Sequence, residues 1–346
     1  MSVALTRLRC INALRCYVGY ALDRIGSVLF LSHFTFHHLP LFVSVEPAAV
    51  CQLRCPECPV GMRSKSLITN RKSEITNHHT AQADRQKSQM SNAVWQRTLA
   101  EVSRTAWTIQ FYFQGEPLLN SALPQMIADA HAQGLYTIVS TNAQAMTAEM
   151  AETLVRSGLN RIIVSMDGLS DQSYGAYRIG GSLSQTKAAI RYLREAKTKF
   201  QISNFKFQIE IQCLRLRSNE HEWAELRRTY RSLGADRLTL KTAQLYDYTH
   251  GHPLMPSNPR YSRYAKGPDG LFHRKPISPG CFRVWSGCVV TTTGEVLPCC
   301  YDKAHAHAYG NIMNASMREI FASAEANAFR RLALRHGADI CHECWK

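Results

Sequence analysis

Residues 42–58 read FVSVEPAAVCQLRCPEC, a stretch that combines an apolar alternation with three closely spaced cysteines. The alternation predicts a β-strand, so Cys51, Cys55 and Cys58 fall on the loop that follows it. Three thiolates in the spacing C-x3-C-x2-C can hold three irons of a four-iron cluster, which leaves the fourth iron open to a small chelating molecule. Structural zinc takes four protein ligands, so this loop suits an iron–sulfur cluster better.

The chain beyond this loop alternates between short apolar runs and amphipathic stretches. Strands are predicted near 41–46, 107–113, 135–140, 160–166, 205–213 and 236–242. Helices are predicted near 91–104, 121–133, 147–157, 183–197 and 219–233. Such alternation implies parallel strands joined by right-handed crossovers. We therefore expect an α/β fold, a partial (β/α)6 TIM-like barrel with its catalytic residues at the carboxyl ends of the strands.

Four motifs follow at or soon after the ends of predicted strands. They are Gly115-Glu116, Thr141-Asn142, Ser165-Met166-Asp167-Gly168 and Tyr177-Arg178-Ile179-Gly180. Together with the three-cysteine loop, they resemble the motifs of the radical S-adenosylmethionine (SAM) superfamily. Ala143 departs from that family, which has a glycine after the Thr-Asn pair.

This resemblance implies that SAM binds the open iron through its amino and carboxylate groups and that one electron from the cluster yields a 5′-deoxyadenosyl radical. The residues that it implies around SAM are Gly115, Glu116, Thr141, Asn142, Ser165 and Arg178. Glu116 would receive the ammonium group, and Arg178 would pair with the carboxylate unless it is a surface arginine. Asp167 is expected to cap the turn after the fourth strand.

The last part of the chain carries six more cysteines: Cys281, Cys288, Cys299, Cys300, Cys341 and Cys344. Two β-rich runs around Thr293-Gly294 predict a hairpin, and an amphipathic helix is predicted from about 316 to 335. This pattern resembles the SPASM or twitch extensions of radical SAM enzymes. The resemblance implies a small β-hairpin plus helix extension with one auxiliary 4Fe-4S cluster, held by Cys281, Cys299, Cys341 and Cys344.

The other candidate ligands of this extension are not assigned to the cluster. Cys300 would compete with its neighbour Cys299, and Cys288 has no clear counterpart in the related extensions. Asp302, His305 and His307 are expected to be solvated. A zinc site from the same cysteines is the rival interpretation, because the chain ends in a C-x2-C pair, but this extension has no second such pair.

The pattern divides the chain into four parts. These are a lead-in at 1–40 with a basic amphipathic helix over 3–25, the barrel at 41–245, a proline-rich linker at 246–280 and the auxiliary domain at 281–346. The helix either packs against the barrel or makes peripheral contact with an anionic membrane. A polar insertion at 63–90 is expected to be a mobile loop or a lid.

Charge and cysteine usage limit the choice of partners and compartment. The chain has 41 Lys and Arg against 26 Asp and Glu, a formal charge of +15, which favours an anionic partner or reflects a basic solvated surface. Nine of its 12 cysteines fall in two groups, which suits metal binding in a reducing compartment, so a cytoplasmic protein is expected. The sequence predicts neither a signal peptide nor a membrane span.

We therefore expect a radical SAM oxidoreductase or maturase that abstracts a hydrogen atom from a peptide or small-molecule substrate. The positive charge favours an acidic substrate. Glu210, Gln212 and Lys241 are the candidate groups on the substrate side. The auxiliary cluster would assist oxidation, and a flavodoxin or ferredoxin would donate electrons. Two alternatives remain open: a metal-stapled basic protein that binds nucleic acid, and a member of the same fold that has lost turnover. If the protein is a radical SAM enzyme, no stable nucleic-acid partner is expected.

Overall fold

A computed structural model describes residues 3–29, 38–66, 89–203, 206–276 and 280–344. Its main strands are β1 (Phe42–Val45), β2 (Thr108–Phe111), β3 (Tyr136–Thr141), β4 (Arg161–Ser165), β5 (Gln208–Arg215) and β6 (Arg237–Thr242). Five short strands follow: β7 (Tyr264–Lys266), β8 (Phe272–Arg274), β9 (Gly287–Val290), β10 (Glu295–Leu297) and β11 (Gly310–Asn311). Most of the insertion at 63–90 lies outside the described residues, so its role as a lid stays a prediction.

The helices connect these strands and cover the sheet. They are α1 (Val3–Leu29), α2 (Pro59–Ser66), α3 (Asn92–Val102), α4 (Leu123–Ala132), α5 (Ala148–Arg156), α6 (Asp171–Gly175), α7 (Leu183–Lys199), α8 (Trp223–Thr229), α9 (Arg283–Ser286), α10 (Met317–Ala322), α11 (Ala324–Leu334) and α12 (Asp339–His342). None of the helices in the described ranges is both long enough and apolar enough to cross a membrane.

The sheet is parallel through its central strands and open at its ends. Strands β1 to β6 pair in chain order, and every one of these pairings is parallel. The complete order is β11-β10-β9-β1-β2-β3-β4-β5-β6, so β6 ends the sheet without returning to β1. The predicted α/β fold with a partial barrel is therefore confirmed.

Two predicted helices differ from those in the structure. The helix predicted near 219–233 is reduced to α8, because a 3-10 turn over Arg217–Glu222 precedes it. The long helix predicted from 316 to 335 is divided into α10 and α11 at Ser323. The Ser323 side chain accepts a hydrogen bond from the amide of Ala326, so it starts a new helix where the first one ends.

The C-terminal hairpin continues the barrel sheet. Strand β9 lies parallel to β1, with Phe42 opposite Gly287, and β10 returns antiparallel to β9. Every residue of β9 is buried. Without β9, β1 would be an edge strand with unpaired backbone groups, so this pairing satisfies the barrel's first edge. The sequence pattern did not indicate this continuity, because strand pairing across more than 200 residues leaves no local signal.

The two faces of the curved sheet differ in chemistry. On β5, Ile209, Ile211 and Cys213 belong to the hydrophobic core under the helices. Because successive strand residues point to opposite faces, Glu210 and Gln212 face the inside of the barrel. Lys241 lies opposite Leu214 in the register of β5 with β6, on the same inner face. All three candidate substrate-side residues therefore line the barrel interior.

Candidate active site

The three cysteines of the first loop lie between β1 and α2, in a close-packed apolar setting. Cys55 is buried with Leu53, Tyr177 and other apolar side chains, and Cys51 and Cys58 pack against this group. Burial raises the pKa of Cys51 to about 11 and also raises that of Cys55. Buried thiolates need a compensating cation, so this donor set fits an iron–sulfur cluster that binds thiolates.

Hydrogen-bond donors surround the sulfur atoms. The Asn142 side-chain amide donates to Cys51 Sγ at 3.4 Å, and the Leu53 backbone amide donates to the same atom at 3.4 Å. The Arg178 guanidinium lies 3.9 Å from Cys55 Sγ. Donors to ligand sulfurs tune the potential of a cluster, so two predicted SAM-contact residues are also in a position to affect the cluster.

Glu116 holds the neighbouring strand ends together. Its carboxylate accepts hydrogen bonds from the Thr141 hydroxyl, from the Asn142 amide at 2.8 Å and from the Leu118 amide at 3.1 Å. Burial raises the pKa of Glu116, and these hydrogen bonds oppose the rise. The structure thus gives Glu116 a positioning role within the protein, beside the contact with SAM that the sequence suggested.

Two backbone positions beside Glu116 require a left-handed conformation. Gly115 has φ +73°, and a Cβ there would lie 2.2 Å from the Ala48 carbonyl oxygen. The strand-end loop and the segment before the cysteines therefore approach each other only because residue 115 is a glycine. Ala143 has φ +63°. This residue replaces the glycine of related proteins and accepts a strain of about 1–2 kcal/mol.

Asp167 and Arg178 form a buried ion pair at the next strand end. Arg178 Nε donates to Asp167 Oδ2 at 2.6 Å, and the Leu214 amide donates to Asp167 Oδ1 at 2.6 Å. The expectation that Asp167 caps the following turn is wrong, because Ser170 caps α6. Asp167 instead fixes Arg178 beside the cysteine loop. Arg178 is therefore an interior residue, and the alternative of a surface arginine is also wrong.

The predicted SAM-contact residues converge on one end of the barrel. Glu116, Thr141 and Asn142 form one hydrogen-bonded group against the cysteine loop, and Gly115 lies close to the backbone of Ala48. Ser165 ends β4 on the inner face of the sheet, and its side chain is almost fully buried. All of these residues lie at the carboxyl ends of strands, as expected for a parallel barrel.

The charged groups on the inner face of the barrel differ in their burial and in the charges beside them. Glu210 is buried, and one of its oxygens lies 3.6 Å from Arg161 and 3.9 Å from Arg237, so it is neutralised by strand residues. Lys241 lies farther along toward the open mouth. Partial removal from water lowers the pKa of Lys241, and Glu210 opposes this effect.

Lys303 was not among the site residues predicted from the sequence, because it lies outside the predicted strands. Its ammonium donates to the Gln244 side chain at 3.0 Å and to the Tyr246 hydroxyl at 2.8 Å. Its backbone oxygen accepts a hydrogen bond from Gln114 at 2.9 Å. Lys303 therefore connects the barrel mouth to the C-terminal extension, and no local motif could have indicated this.

A second group of thiols lines a pocket in the C-terminal extension. The pocket has a volume of about 330 Å³, counted with its opening to solvent. Its lining residues are Cys281, Val284, Cys299, Phe329, His336, Ile340, Cys341 and Cys344. The structure thus brings together the four cysteines that the sequence singled out. Burial raises the pKa of Cys299, so this site also calls for a compensating cation.

The two remaining cysteines of the extension lie elsewhere. Cys288 is buried in β9, on the face that packs into the hydrophobic core, and burial raises its pKa. Cys300 is absent from the pocket lining, and its sulfur lies 3.6 Å from the Arg283 guanidinium. Both residues stand in the turn that follows β10, where Cys299 lines the pocket and Cys300 contacts Arg283 instead.

The expectation of solvated side chains near this pocket is wrong for Asp302 and for His305, whose side chain is only 8% exposed. Asp302 is fully buried and accepts hydrogen bonds from the amides of Ala306 and His307. His305 lies 2.9 Å from Glu295, and the His307 side chain lies 2.6 Å from Asp339. These three residues stabilise the loop after Cys300 and are not among the residues that line the pocket.

The spacing of both thiol groups favours clusters over single ions. Among the residues that the structure describes, no three His, Cys, Asp or Glu side chains converge closely enough to hold one metal ion. Zinc needs such convergence, because all of its ligands bind one atom at about 2.0–2.3 Å. The thiolates of a four-iron cluster each bind a different iron. The groups of three and four thiols match the numbers of protein ligands that iron–sulfur clusters take.

Sequence comparisons match both parts of the chain. A profile of the radical SAM superfamily matches residues 45–207, and a profile of SPASM, an iron–sulfur cluster-binding domain, matches residues 281–345. An AdoMet-dependent heme synthase from Nitratidesulfovibrio vulgaris is 27% identical over 61% of this chain and 64% of its own length. A PqqA peptide cyclase from Streptomyces rochei is 24% identical over 84% of this chain and 78% of its own length. The match thus spans less than two thirds of the heme synthase.

Solved structures share the fold. Streptococcus suis SuiB bound to S-adenosylmethionine has a TM-score of 0.62 at 14% identity, over 88% of this chain and 72% of that chain. The anSMEcpe structure with bound AdoMet has a TM-score of 0.59 at 16% identity, over 88% of this chain and 84% of that chain. At these identities the likeness is evidence for the fold alone.

The different surroundings of Cys299, which lines the pocket, and Cys300, which contacts Arg283, predict different effects of their substitution. We expect Cys299→Ala to lose about four irons per chain from anaerobically reconstituted protein, the content of one four-iron cluster. We expect Cys300→Ala, the matched control, to keep its iron because this thiol does not line the pocket. Iron and sulfide analysis measures both. If only the Cys300 variant lost iron, the cluster ligand would be Cys300 and not Cys299.

The setting of Lys241 predicts an unusual pH profile. Its labelling by an amine-selective acylating reagent should have a midpoint below about 10.4, the ordinary pKa of lysine, because removal from water disfavours the ammonium form. Glu210→Gln should lower this midpoint further, since Glu210 stabilises the charge. Peptide mass spectrometry across a pH series measures the profile. A midpoint at or above the ordinary value, or an upward shift in the Glu210 variant, would contradict this assignment.

Proposed function

Because this chain belongs to the radical SAM superfamily and carries a SPASM-type iron–sulfur domain, we propose that it cleaves SAM reductively and abstracts a hydrogen atom from a peptide or small-molecule substrate. The observation that carries the proposal is the first cysteine loop, with Asn142 and Arg178 at its sulfur atoms. The alternative of a metal-stapled nucleic-acid-binding protein does not account for these contacts.

In this proposal Cys51, Cys55 and Cys58 hold the SAM-binding cluster. When bound, a four-iron cluster would supply one electron to SAM, which yields the 5′-deoxyadenosyl radical that removes hydrogen from the substrate. The protein's own part is to bind and orient SAM. Ser165 offers a hydroxyl at the end of β4, and Arg178, held by Asp167, offers a cation for the SAM carboxylate.

The second thiol group would hold the auxiliary cluster. Cys281, Cys299, Cys341 and Cys344 supply four ligands, so every iron of a four-iron cluster would have a protein thiolate. A saturated cluster leaves no iron for direct substrate binding. We therefore propose that it accepts the electron that the substrate releases on oxidation, which makes the protein an oxidoreductase. A reduced flavodoxin or ferredoxin in the cytoplasm is the proposed electron donor.

The substrate would lie on the inner face of the barrel, between the two thiol groups. Peptide substrates are suggested by the names of the PqqA peptide cyclases and by the SuiB structure with its precursor peptide SuiA. Lys241 lies on the inner face of β6 and Lys303 lies at the barrel mouth, whereas Glu210 is already paired with arginines. We propose that the substrate presents an acidic group to these lysines, with Gln212 beside it as a neutral hydrogen-bonding partner.

Removal of the first three cysteines tests the proposal directly. We expect the triple variant Cys51→Ala, Cys55→Ala, Cys58→Ala to retain about four of about eight irons per chain, because only the auxiliary site remains. Formation of 5′-deoxyadenosine from SAM under reducing conditions should be abolished. Chromatographic assay of 5′-deoxyadenosine beside iron analysis measures both effects. Unchanged SAM cleavage in this variant would exclude the proposed function.

A further inference from the structure

Helix α1 is attached to the rest of the protein through polar side chains. Arg9 is buried and donates hydrogen bonds to the backbone oxygens of Gly134, Ser103 and Gln133 at 2.7–2.9 Å, at the ends of α3 and α4. Asn12 exchanges two hydrogen bonds of 2.9 Å with the backbone of Leu39. The inward face of this helix is therefore held by specific hydrogen bonds to backbone groups that lie outside helices and strands.

The second half of α1 follows the same pattern. Asp23 accepts a hydrogen bond of 3.0 Å from the indole nitrogen of Trp285. Tyr20 packs edge-on against Phe282 and Trp285, with ring centroids 5.4 and 5.2 Å away. Phe282 and Trp285 stand on or beside α9, next to Cys281. The same inward face thus fixes α1 beside the auxiliary site.

The outward face of α1 is apolar. The exposed large apolar residues of α1, with their exposed fractions, are Val3 (83%), Leu8 (41%), Ile11 (46%), Leu14 (63%), Tyr17 (63%) and Ile25 (54%). They are half of the 12 exposed large apolar residues in the described part of the chain. Tyr17 lies at the border of the outward face, because its ring also packs edge-on against Phe282 with centroids 6.3 Å apart. A surface helix normally turns its apolar stripe to the core, so this helix presents the reverse arrangement over almost its whole length.

The charge of this outward face is entirely positive. Arg7 and Arg15 are exposed on this face, whereas the guanidinium of Arg24 lies over the Tyr20 ring, 5.8 Å from its centroid. Asp23 is the only acidic residue between Val3 and Leu29, and it is turned inward to Trp285. Arginine can place its aliphatic stem along an apolar surface while its guanidinium reaches outward. An apolar stripe with basic side chains and no carboxylate is the composition of helices that lie in the interface of anionic membranes.

We propose that the outward face of α1 docks on an anionic phospholipid surface, with the helix parallel to the membrane plane. Leu8, Ile11 and Leu14 would enter the boundary between headgroups and acyl chains, and the arginines would pair with lipid phosphates. A second copy of the chain is the less favourable occupant, because it would bring another formal charge of +15 against a basic face. Docking would place the auxiliary site close to the membrane.

The test uses the reconstituted full chain and co-sedimentation with vesicles. We expect binding to vesicles of phosphatidylcholine mixed with phosphatidylglycerol, little binding to pure phosphatidylcholine, and weaker binding as salt screens the arginines. Ile11→Ser with Leu14→Ser should reduce binding at least about tenfold, because each removes apolar area from the interface. The matched control is Met313→Ser with Leu332→Ser, whose parent side chains are exposed to 47% and 46% but lie off α1.

Three outcomes would overturn the proposal. One is equal vesicle binding by the parent and the Ile11/Leu14 variant, and another is equal loss in the Met313/Leu332 control. The third is a parent dimer, measured by light scattering, that the Ile11/Leu14 substitutions dissociate without any vesicle binding by the parent, which would assign the face to a second copy. Iron content and 5′-deoxyadenosine formation serve as folding controls, because α1 contributes none of the cysteines at either thiol site.

Discussion

The active end of the barrel depends on one buried carboxylate. Glu116 accepts hydrogen bonds from Thr141, Asn142 and Leu118, while its own amide donates to the Val50 oxygen at 2.7 Å. These contacts tie the ends of β2 and β3 to the segment that leads into the cysteines. Since Asn142 then donates to Cys51, the position of the first thiol is linked through two hydrogen bonds to a charge that never reaches solvent. A buried carboxylate is tolerated only when its oxygens accept hydrogen bonds from the protein, as they do here.

The sequence predicted the barrel because its signals are local. Apolar runs and cysteine spacing revealed β1 to β6 and both thiol groups, and the motifs at the strand ends carried the resemblance to radical SAM enzymes. Relations between distant segments were not predictable in this way. The pairing of β9 with β1, the ion pair of Asp167 with Arg178 and the position of Lys303 all join residues without a shared local pattern.

The sequence alone could not decide which of the adjacent thiols Cys299 and Cys300 lines the pocket. Position along the chain favoured Cys299, but two neighbouring residues of the same type carry the same chemistry. Their tertiary surroundings distinguish them, because only Cys299 lines the pocket formed with α9, α11 and α12. The amphipathic pattern of α1 was similarly ambiguous. Periodicity located the helix, and only the tertiary contacts of Arg9, Asn12 and Asp23 show which of its faces is turned inward.

We expect SAM to bind at the open iron of a cluster held by Cys51, Cys55 and Cys58. Electron paramagnetic resonance of the reduced Cys299→Ala protein tests it most directly, because this variant should retain only that cluster. We expect SAM to change the spectrum of the cluster, and Arg178→Gln in the same background to require more SAM for the same change. A cluster whose spectrum is indifferent to saturating SAM would contradict the account.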